Sequence, residues 1–232
     1  MKKFITIATT VSLPVLAFVA VAKNLPVTKD EQAKMTPAAV MEDLMAGNKR
    51  YTEGQLSDPN VKASIAAATS GQYPKAFILS CIDSRVPVES VFDQGLGDIF
   101  VGRVAGNIEN VDQLGSMEYA AAVAGVKVVM VLGHESCGAV KGACDHVKLG
   151  NITALLDNIQ PAVKKVAAEH KDIEHNSKNK TFVDAVISEN VRHTVADIRK
   201  KSPTLVELEK AGKLKIVGAV YSLETGKVSL VD

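Results

Sequence analysis

The pattern of apolar and polar positions divides the chain into two kinds of segment. Short apolar runs, which are typical of buried strands, occur at 76–81, 98–103, 126–132 and 214–221, with a possible edge strand at 228–231. Apolar residues repeat at helical spacing in longer segments, which predict helices over 36–51, 113–123, 137–148, 152–170, 181–200 and 202–211. Strands that alternate with helices predict an α/β fold in one domain, with a central, mostly parallel sheet and helices on both faces.

The first 22 residues have the pattern of an export signal. Two lysines precede a mostly apolar stretch, and Ala20-Val21-Ala22 supplies the small residues that a signal peptidase requires before Lys23. The stretch is almost long enough for a membrane anchor, but threonines, a serine and Pro14 dilute it. We therefore expect a periplasmic mature protein that is free of the membrane after cleavage, and a chain divided into a signal peptide (1–22), a polar linker (23–35) and a folded domain (36–232).

Composition narrows the classes of function. The 232 residues are 47% hydrophobic and 23% charged, which is ordinary for a globular protein that needs no disulfide framework. The formal net charge is +1, aromatic residues make up 4%, and tryptophan is absent, so we expect no nucleic-acid partner. Three cysteines are too few for a disulfide scaffold, and they direct attention to a metal site or a reactive thiol.

Residues that can bind a metal follow two of the predicted strands. Cys81, Asp83 and Arg85 close the first strand, and His134 and Cys137 follow the third. Because parallel sheets bind ligands at the carboxyl ends of their strands, we expect the two groups to meet there. Two cysteines and a histidine suit zinc, with the fourth position open to water or to Asp83. Taken separately, Cys81 also fits a buried apolar position, and Asp83 with Arg85 also fits a structural ion pair.

At these residues the chain resembles the β-class carbonic anhydrases. The resemblance extends through further segments: Gly71-Gln72-Tyr73-Pro74, Ser84-Arg85-Val86-Pro87, Arg103-Val104-Ala105-Gly106-Asn107, Ser116-Met117-Glu118-Tyr119-Ala120, Ile216-Val217-Gly218-Ala219-Val220-Tyr221 and Glu224-Thr225-Gly226. It covers roughly residues 36–231 and implies that the folded domain is a zinc-dependent catalytic domain with the Rossmann-like β-carbonic anhydrase fold.

The resemblance implies a carbonate dehydratase, a lyase that reversibly hydrates carbon dioxide to bicarbonate and a proton through a zinc-bound hydroxide. It implies Zn²⁺ ligands at Cys81, His134 and Cys137, with Asp83 as a further ligand only in a closed form. Arg85 would pair with Asp83, which orients the nucleophile. Substrate-binding positions, some of them donated by a neighbouring subunit of a homodimer or homotetramer, would be Gln72, Phe100, Ala105 and Tyr119.

Two other functions remain compatible with the same residues. Relatives on this scaffold hydrolyse carbon disulfide or carbonyl sulfide. A non-enzymatic zinc-binding module would instead carry four permanent protein ligands and no exchangeable water. Hydration of carbon dioxide is therefore the property that separates the carbonic anhydrase interpretation from both alternatives.

Overall fold

A mostly parallel sheet forms the centre of the molecule in the computed structural model, which describes residues 25–57 and 60–231. Within those residues the sheet has five strands in the order β2-β1-β3-β4-β5. Four strands are parallel, and β5 joins the edge antiparallel to β4. Their bounds are Ala76–Ser80 (β1), Ile99–Arg103 (β2), Val128–His134 (β3), Lys215–Tyr221 (β4) and Val228–Val231 (β5). The predicted α/β fold is confirmed, and the predicted signal peptide lies outside the described residues.

Helices cover both faces of the sheet. In the described part of the chain they are α1 (Lys29–Lys34), α2 (Pro37–Thr52), α3 (Val61–Ala68), α4 (Val88–Val91), α5 (Val111–Glu118), α6 (Gly138–Cys144), α7 (Gly150–Asp157), α8 (Gln160–Glu169), α9 (Lys180–Lys201) and α10 (Pro203–Lys210). A 3₁₀ turn spans Ala105–Asn107, and a π-helical segment, Tyr119–Val123, continues α5. Among these elements, none is a helix with the length and apolarity needed to span a bilayer.

Part of the predicted linker is ordered structure. Thr28 caps α1 and exchanges hydrogen bonds with Glu31 in a capping box. The buried side chain of Gln32 donates from Nε2 to the carbonyl oxygens of Pro74 (2.6 Å) and Ala124 (2.8 Å). The sequence did not predict this helix because its residues are polar. One face of the helix is solvent-exposed, and the other is held by the Gln32 side chain rather than by apolar contacts.

Two helix boundaries after β3 differ from the expectation. The predicted helix over 137–148 ends at Cys144, and the next helix, α7, begins at Gly150, which has a φ of 44°. The predicted helix over 152–170 is two helices, because Pro161 lies in the first turn of α8. Proline has no amide hydrogen, and only in the first turn does a helix not require one.

Three apolar clusters surround the sheet. On one face, Leu44 of α2 and Phe92 pack with Met130 of β3. On the opposite face, Ile198 of α9 packs with Val131. A third cluster joins α6, α7, α8 and the start of α9 and includes two of the candidate metal ligands, Cys81 and Cys137. The carboxyl ends of β1 and β3 are therefore enclosed by apolar side chains.

A buried amide, Asn48 of α2, ties three parts of the chain together. Its Nδ2 donates to the carbonyl oxygens of Val91 (3.1 Å) and Gly226 (2.9 Å), and its Oδ1 accepts from the amide of Val228 (2.9 Å). Asn48 is only 4% exposed. If its side chain were removed, little water could reach the three backbone groups to replace the lost hydrogen bonds.

We predict that Asn48→Ala lowers the free energy of unfolding by about 2–4 kcal/mol, because buried backbone groups lose their partners. Urea denaturation measures the change. Asn151→Ala, at an exposed position of α7, is the matched control and is expected to stay within about 0.5 kcal/mol of the wild type. Equal stabilities for the two variants would contradict this role of Asn48.

Candidate metal centre

Strand pairing brings the two predicted ligand groups together. β1 and β3 are parallel neighbours, and Ser80 pairs with Leu132. The chain leaves β1 at Cys81, while β3 continues to His134. The first cysteine and the histidine consequently emerge side by side at the carboxyl edge of the sheet.

A tight turn adds the second cysteine. Glu135 and Ser136 form the turn after β3, and Ser136 adopts a left-handed φ of 53°. This turn is anchored from β4, because the amide of Glu135 donates to the carbonyl of Tyr221 at 3.0 Å. The Glu135 carboxylate also accepts from the amide of Leu223 at 2.8 Å. Cys137 then lies at the N-cap of α6, beside His134.

The three ligand atoms form a compact, buried group. One Sγ from Cys81, one ring nitrogen from His134 and one Sγ from Cys137 all lie within 4.8 Å of one another. All three residues are buried, with His134 at 0% exposure. The structure thus assembles the three predicted ligand residues into one site.

The imidazole of His134 is oriented by the backbone. Its Nδ1 lies 2.8 Å from the carbonyl oxygen of Glu135, an acceptor, so Nδ1 carries the hydrogen and donates. The lone pair is then on Nε2, which is buried without a hydrogen-bond partner. A ligating histidine typically donates its other ring hydrogen in this way. An orphaned Nε2 beside two sulfurs is what a metal ligand requires.

The two thiols share their charge unequally. A hydrogen bond from Cys137 lowers the pKa of Cys81 to about 4, with a further hydrogen bond from the amide of Gly106. The same contact with Cys81, together with burial, raises the pKa of Cys137. Burial lowers the pKa of His134, but the neighbouring Cys81 has a larger effect in the opposite direction, so the pKa of His134 is raised overall. These contacts favour the thiolate form at Cys81 over that at Cys137.

This donor set fits zinc. Two thiolates and an imidazole are ligands that zinc accepts in catalytic sites, where three protein ligands leave one position for water. Metal binding requires deprotonated ligands, and the lowered pKa of Cys81 favours its thiolate form. The third cysteine, Cys144, is buried at the end of α6, and burial raises its pKa to about 11. Cys144 lies outside the group and behaves as a core residue.

The predicted pair, Asp83 and Arg85, stands beside the ligands. Arg85 donates to the carboxylate of Asp83 from Nε (2.9 Å), Nη2 (2.7 Å) and its own amide (2.9 Å). These bonds hold the pKa of Asp83 well below its usual range. The Oδ2 of Asp83 is 3.7 Å from Nε2 of His134. An ionised carboxylate, held from the outer side by a guanidinium, therefore borders the metal site.

A second arginine, Arg103, holds the backbone of this loop. It is the last residue of β2 and donates to the carbonyl oxygens of Cys81 (2.9 Å) and Asp83 (2.5 Å). Sequence reasoning gave it no role, because the pairing of Ser80 with Arg103 across β1 and β2 creates the contact. The register between β1 and β2, which places Arg103 beside the loop after β1, could not be read from the sequence.

The four predicted substrate residues do not form one pocket within a single chain. Ala105 is next to Gly106, which contacts Cys81. Phe100 and Tyr119 have ring centroids 6.3 Å apart and line an open groove of about 810 Å³ with β2 and α5. Gln72 is exposed in the loop before β1, at the amino end of the strand whose carboxyl end carries Cys81. Within one chain, Gln72 and the metal site therefore lie at opposite ends of β1.

We predict that Cys81→Ser and His134→Ala each lose most of the bound zinc, because each removes one of three non-carboxylate ligands. Elemental analysis of the purified variants measures the loss. Cys144→Ser is the matched control: it removes a buried thiol outside the site and should retain one zinc per chain, as in the wild type. Full zinc in both ligand variants would contradict the ligand set.

Comparison with known proteins identifies the family to which the chain is similar. The family described as carbonic anhydrase matches residues 76–228. Carbonic anhydrase 2 of Mycobacterium tuberculosis is 36% identical over 199 residues, which are 84% of this chain and 93% of that protein. A carbonic anhydrase of Mycolicibacterium smegmatis is 36% identical over 197 residues, which cover 84% of this chain and 93% of that protein.

Solved structures agree with the fold. The β-carbonic anhydrase CcaA aligns with a TM-score of 0.68 at 25% identity, over 83% of this chain and 87% of that one. A tetrameric β-carbonic anhydrase of Sordaria macrospora aligns with a TM-score of 0.66 at 23% identity, over 84% of this chain and 94% of that one. With a family match that spans most of the sheet and a buried Cys-His-Cys group that fits zinc, the chain belongs to the carbonic anhydrase family, in its β class.

Proposed function

We propose that Cys81, His134 and Cys137 bind one zinc ion, and that Asp83 and Arg85 complete a site that reversibly hydrates carbon dioxide to bicarbonate and a proton. The observation that carries the proposal is the buried Cys-His-Cys group with an unpartnered Nε2, directly beside a carboxylate fixed by arginine. Membership of the carbonic anhydrase family supports the same substrate and the same metal.

Zinc, when bound, supplies a Lewis acid that lowers the pKa of a water ligand towards neutrality. The protein would hold the ion through the sulfurs of Cys81 and Cys137 and Nε2 of His134, with the Asp83 carboxylate beside these atoms. Because Arg85 keeps this carboxylate ionised, Asp83 acts as a hydrogen-bond acceptor. An acceptor 3.7 Å from Nε2 of His134 is placed to orient the nucleophile for attack on carbon.

The apolar walls favour a small, uncharged substrate. Cys81 and Cys137 belong to an apolar cluster, and Ala105 precedes Gly106, whose amide contacts Cys81. Carbon dioxide needs few polar contacts, whereas bicarbonate, once formed, is charged and is poorly solvated there. Release of the product is thereby favoured over its retention.

A second copy of the chain completes the pocket in this proposal. Val111 and Tyr119 beside the groove are 80% and 52% exposed, and Ile82 next to the metal site is 63% exposed. Exposed apolar residues in such numbers mark an interaction surface. A partner covering this groove would also bring its own Gln72, Phe100 or Tyr119 towards the metal site, which a single chain does not do. We therefore propose a homodimer or a homotetramer.

Stopped-flow measurement of carbon dioxide hydration, with zinc quantified in the same sample, tests the activity. We expect hydration at a rate proportional to zinc content and little sulfide release from carbon disulfide or carbonyl sulfide. Sulfide release without hydration would favour the hydrolase alternative. A zinc-loaded protein with neither activity would favour a zinc-binding module.

We predict that Arg85→Ala keeps its zinc but loses about 100-fold in kcat/KM. Arg85→Ala removes the two guanidinium bonds to Asp83 and keeps only the backbone amide bond, so the carboxylate is free to turn towards the metal position. Arg192→Ala is the matched control, because it removes an arginine from an ion pair with Glu189 on the surface of α9. This control should hydrate carbon dioxide at the wild-type rate.

Asp83→Asn separates the two roles of the pair. It should also keep zinc, since the three ligands remain, and it should lose activity because the acceptor carboxylate is gone. If Arg85→Ala retained near-wild-type hydration with zinc bound, the pair would have only a structural role.

We further propose that the protein is exported to the periplasm, on the strength of the signal-like pattern over 1–22. We predict a mature chain in the periplasmic fraction that begins at Lys23, as determined by N-terminal sequencing and intact mass. Ala22→Tyr, which places a bulky residue at the cleavage position, should accumulate uncleaved. Recovery of the wild-type chain with its first 22 residues intact in the membrane fraction would instead indicate an anchor.

A further inference from the structure

A backbone amide contacts the charged sulfur of the metal site. The N–H of Gly106 donates to Sγ of Cys81 at 3.3 Å. Gly106 lies in the 3₁₀ turn Ala105–Asn107 and has a left-handed φ of 74°, and Asn107 follows with a φ of 46°. Glycine and asparagine are the residues that adopt left-handed conformations most readily, so the sequence of the turn fits its backbone.

The turn is held by a residue 84 positions further along the chain. Nδ2 of Asn190 donates to the carbonyl oxygen of Gly106 at 2.8 Å. Asn190 is 0% exposed and lies in the middle of α9. Its Oδ1 has no hydrogen-bond partner. Burial of an amide whose acceptor is unsatisfied is unfavourable, which indicates that the donor end of Asn190 serves a specific purpose.

The same turn of α9 also contacts the strand that carries His134. A Cβ atom on Gly133 would lie 2.6 Å from Cγ2 of Val191, so α9 packs directly against the residue before the histidine. Adjacent residues of α9 therefore contact the turn whose amide donates to Cys81 and the strand that carries His134. The position of Asn190 is set by this packing, independently of the turn that it holds.

We propose that Asn190 is a positioning residue of the metal site: it fixes the Gly106 turn so that the turn's amide donates to the Cys81 thiolate. This hydrogen bond stabilises the buried thiolate and withdraws electron density from the sulfur. It therefore raises metal affinity by preorganising the ligand, and it limits the charge that the sulfur donates to the metal. The inference rests on Cys81 being a metal ligand, as proposed above.

Asn190→Leu tests this role, because leucine has a similar shape and no donor. We expect zinc affinity, measured by competition with a chelator, to fall about 10–100-fold. In the Co²⁺-substituted protein, the thiolate-to-cobalt charge-transfer band should shift, because the sulfur regains electron density. Thr194→Val is the matched control: it is a buried polar residue one turn further along α9. It should change neither the affinity nor the band.

A merely structural role would produce a different result. Asn190→Leu would then lose stability to denaturant while its zinc affinity and its charge-transfer band stayed at the wild-type values. That result would overturn the proposal.

The hydrogen bond is also measurable in the wild type, so the proposal remains testable if Asn190→Leu does not fold. In protein loaded with ¹¹³Cd²⁺, the Gly106 amide should show a scalar coupling to the metal through the Cys81 sulfur. A wild-type protein with thiolate-to-cobalt bands but without this coupling overturns the inference alone. A wild type that lacks the bands overturns the ligand set, and the inference with it.

Discussion

The parallel pairing of β1 with β3 is the constraint on which the site depends. With Ser80 opposite Leu132, Cys81 and His134 leave the sheet at the same edge, although 53 positions separate them in sequence. No side-chain interaction is needed to bring them together, because the backbone ladder does so. The turn at Glu135 and Ser136 then places Cys137 in the same space. A shift of the register would dismantle the group.

Burial of a thiolate imposes the second requirement. A charge in an apolar enclosure must have hydrogen-bond donors nearby or it would be neutralised. At Cys81 the donors are the Cys137 thiol and the Gly106 amide. The carboxylate of Asp83 is stabilised separately by Arg85, on the outer side of the site. Two anionic groups thus lie next to the same metal position, each with its own cationic or dipolar support.

Several elements of the fold were within reach of sequence reasoning and others were not. The strands β1, β3 and β4 were recognisable because continuous apolar runs accompany burial on both faces. Helices α1, α3 and α4 were missed. The first is polar, and α4 is a single turn of four residues, too short for a helical period to be read. The pattern over 152–170 predicted one helix, and whether Pro161 starts a second helix depends on the packing of α7 and α8.

The sequence by itself determined the chemistry of the site. The five residues were identifiable because they cluster at or shortly after the ends of two recognisable strands: Cys81, Asp83, Arg85, His134 and Cys137. Only the tertiary structure decided which distant residues support them. Arg103 reaches the loop after β1 because of strand register, and Asn190 reaches Gly106 because α9 packs across the end of β3. The physical reason is that local periodicity records which face of an element is buried. It does not record which other element covers that face, since this depends on strand order and helix packing across the whole chain.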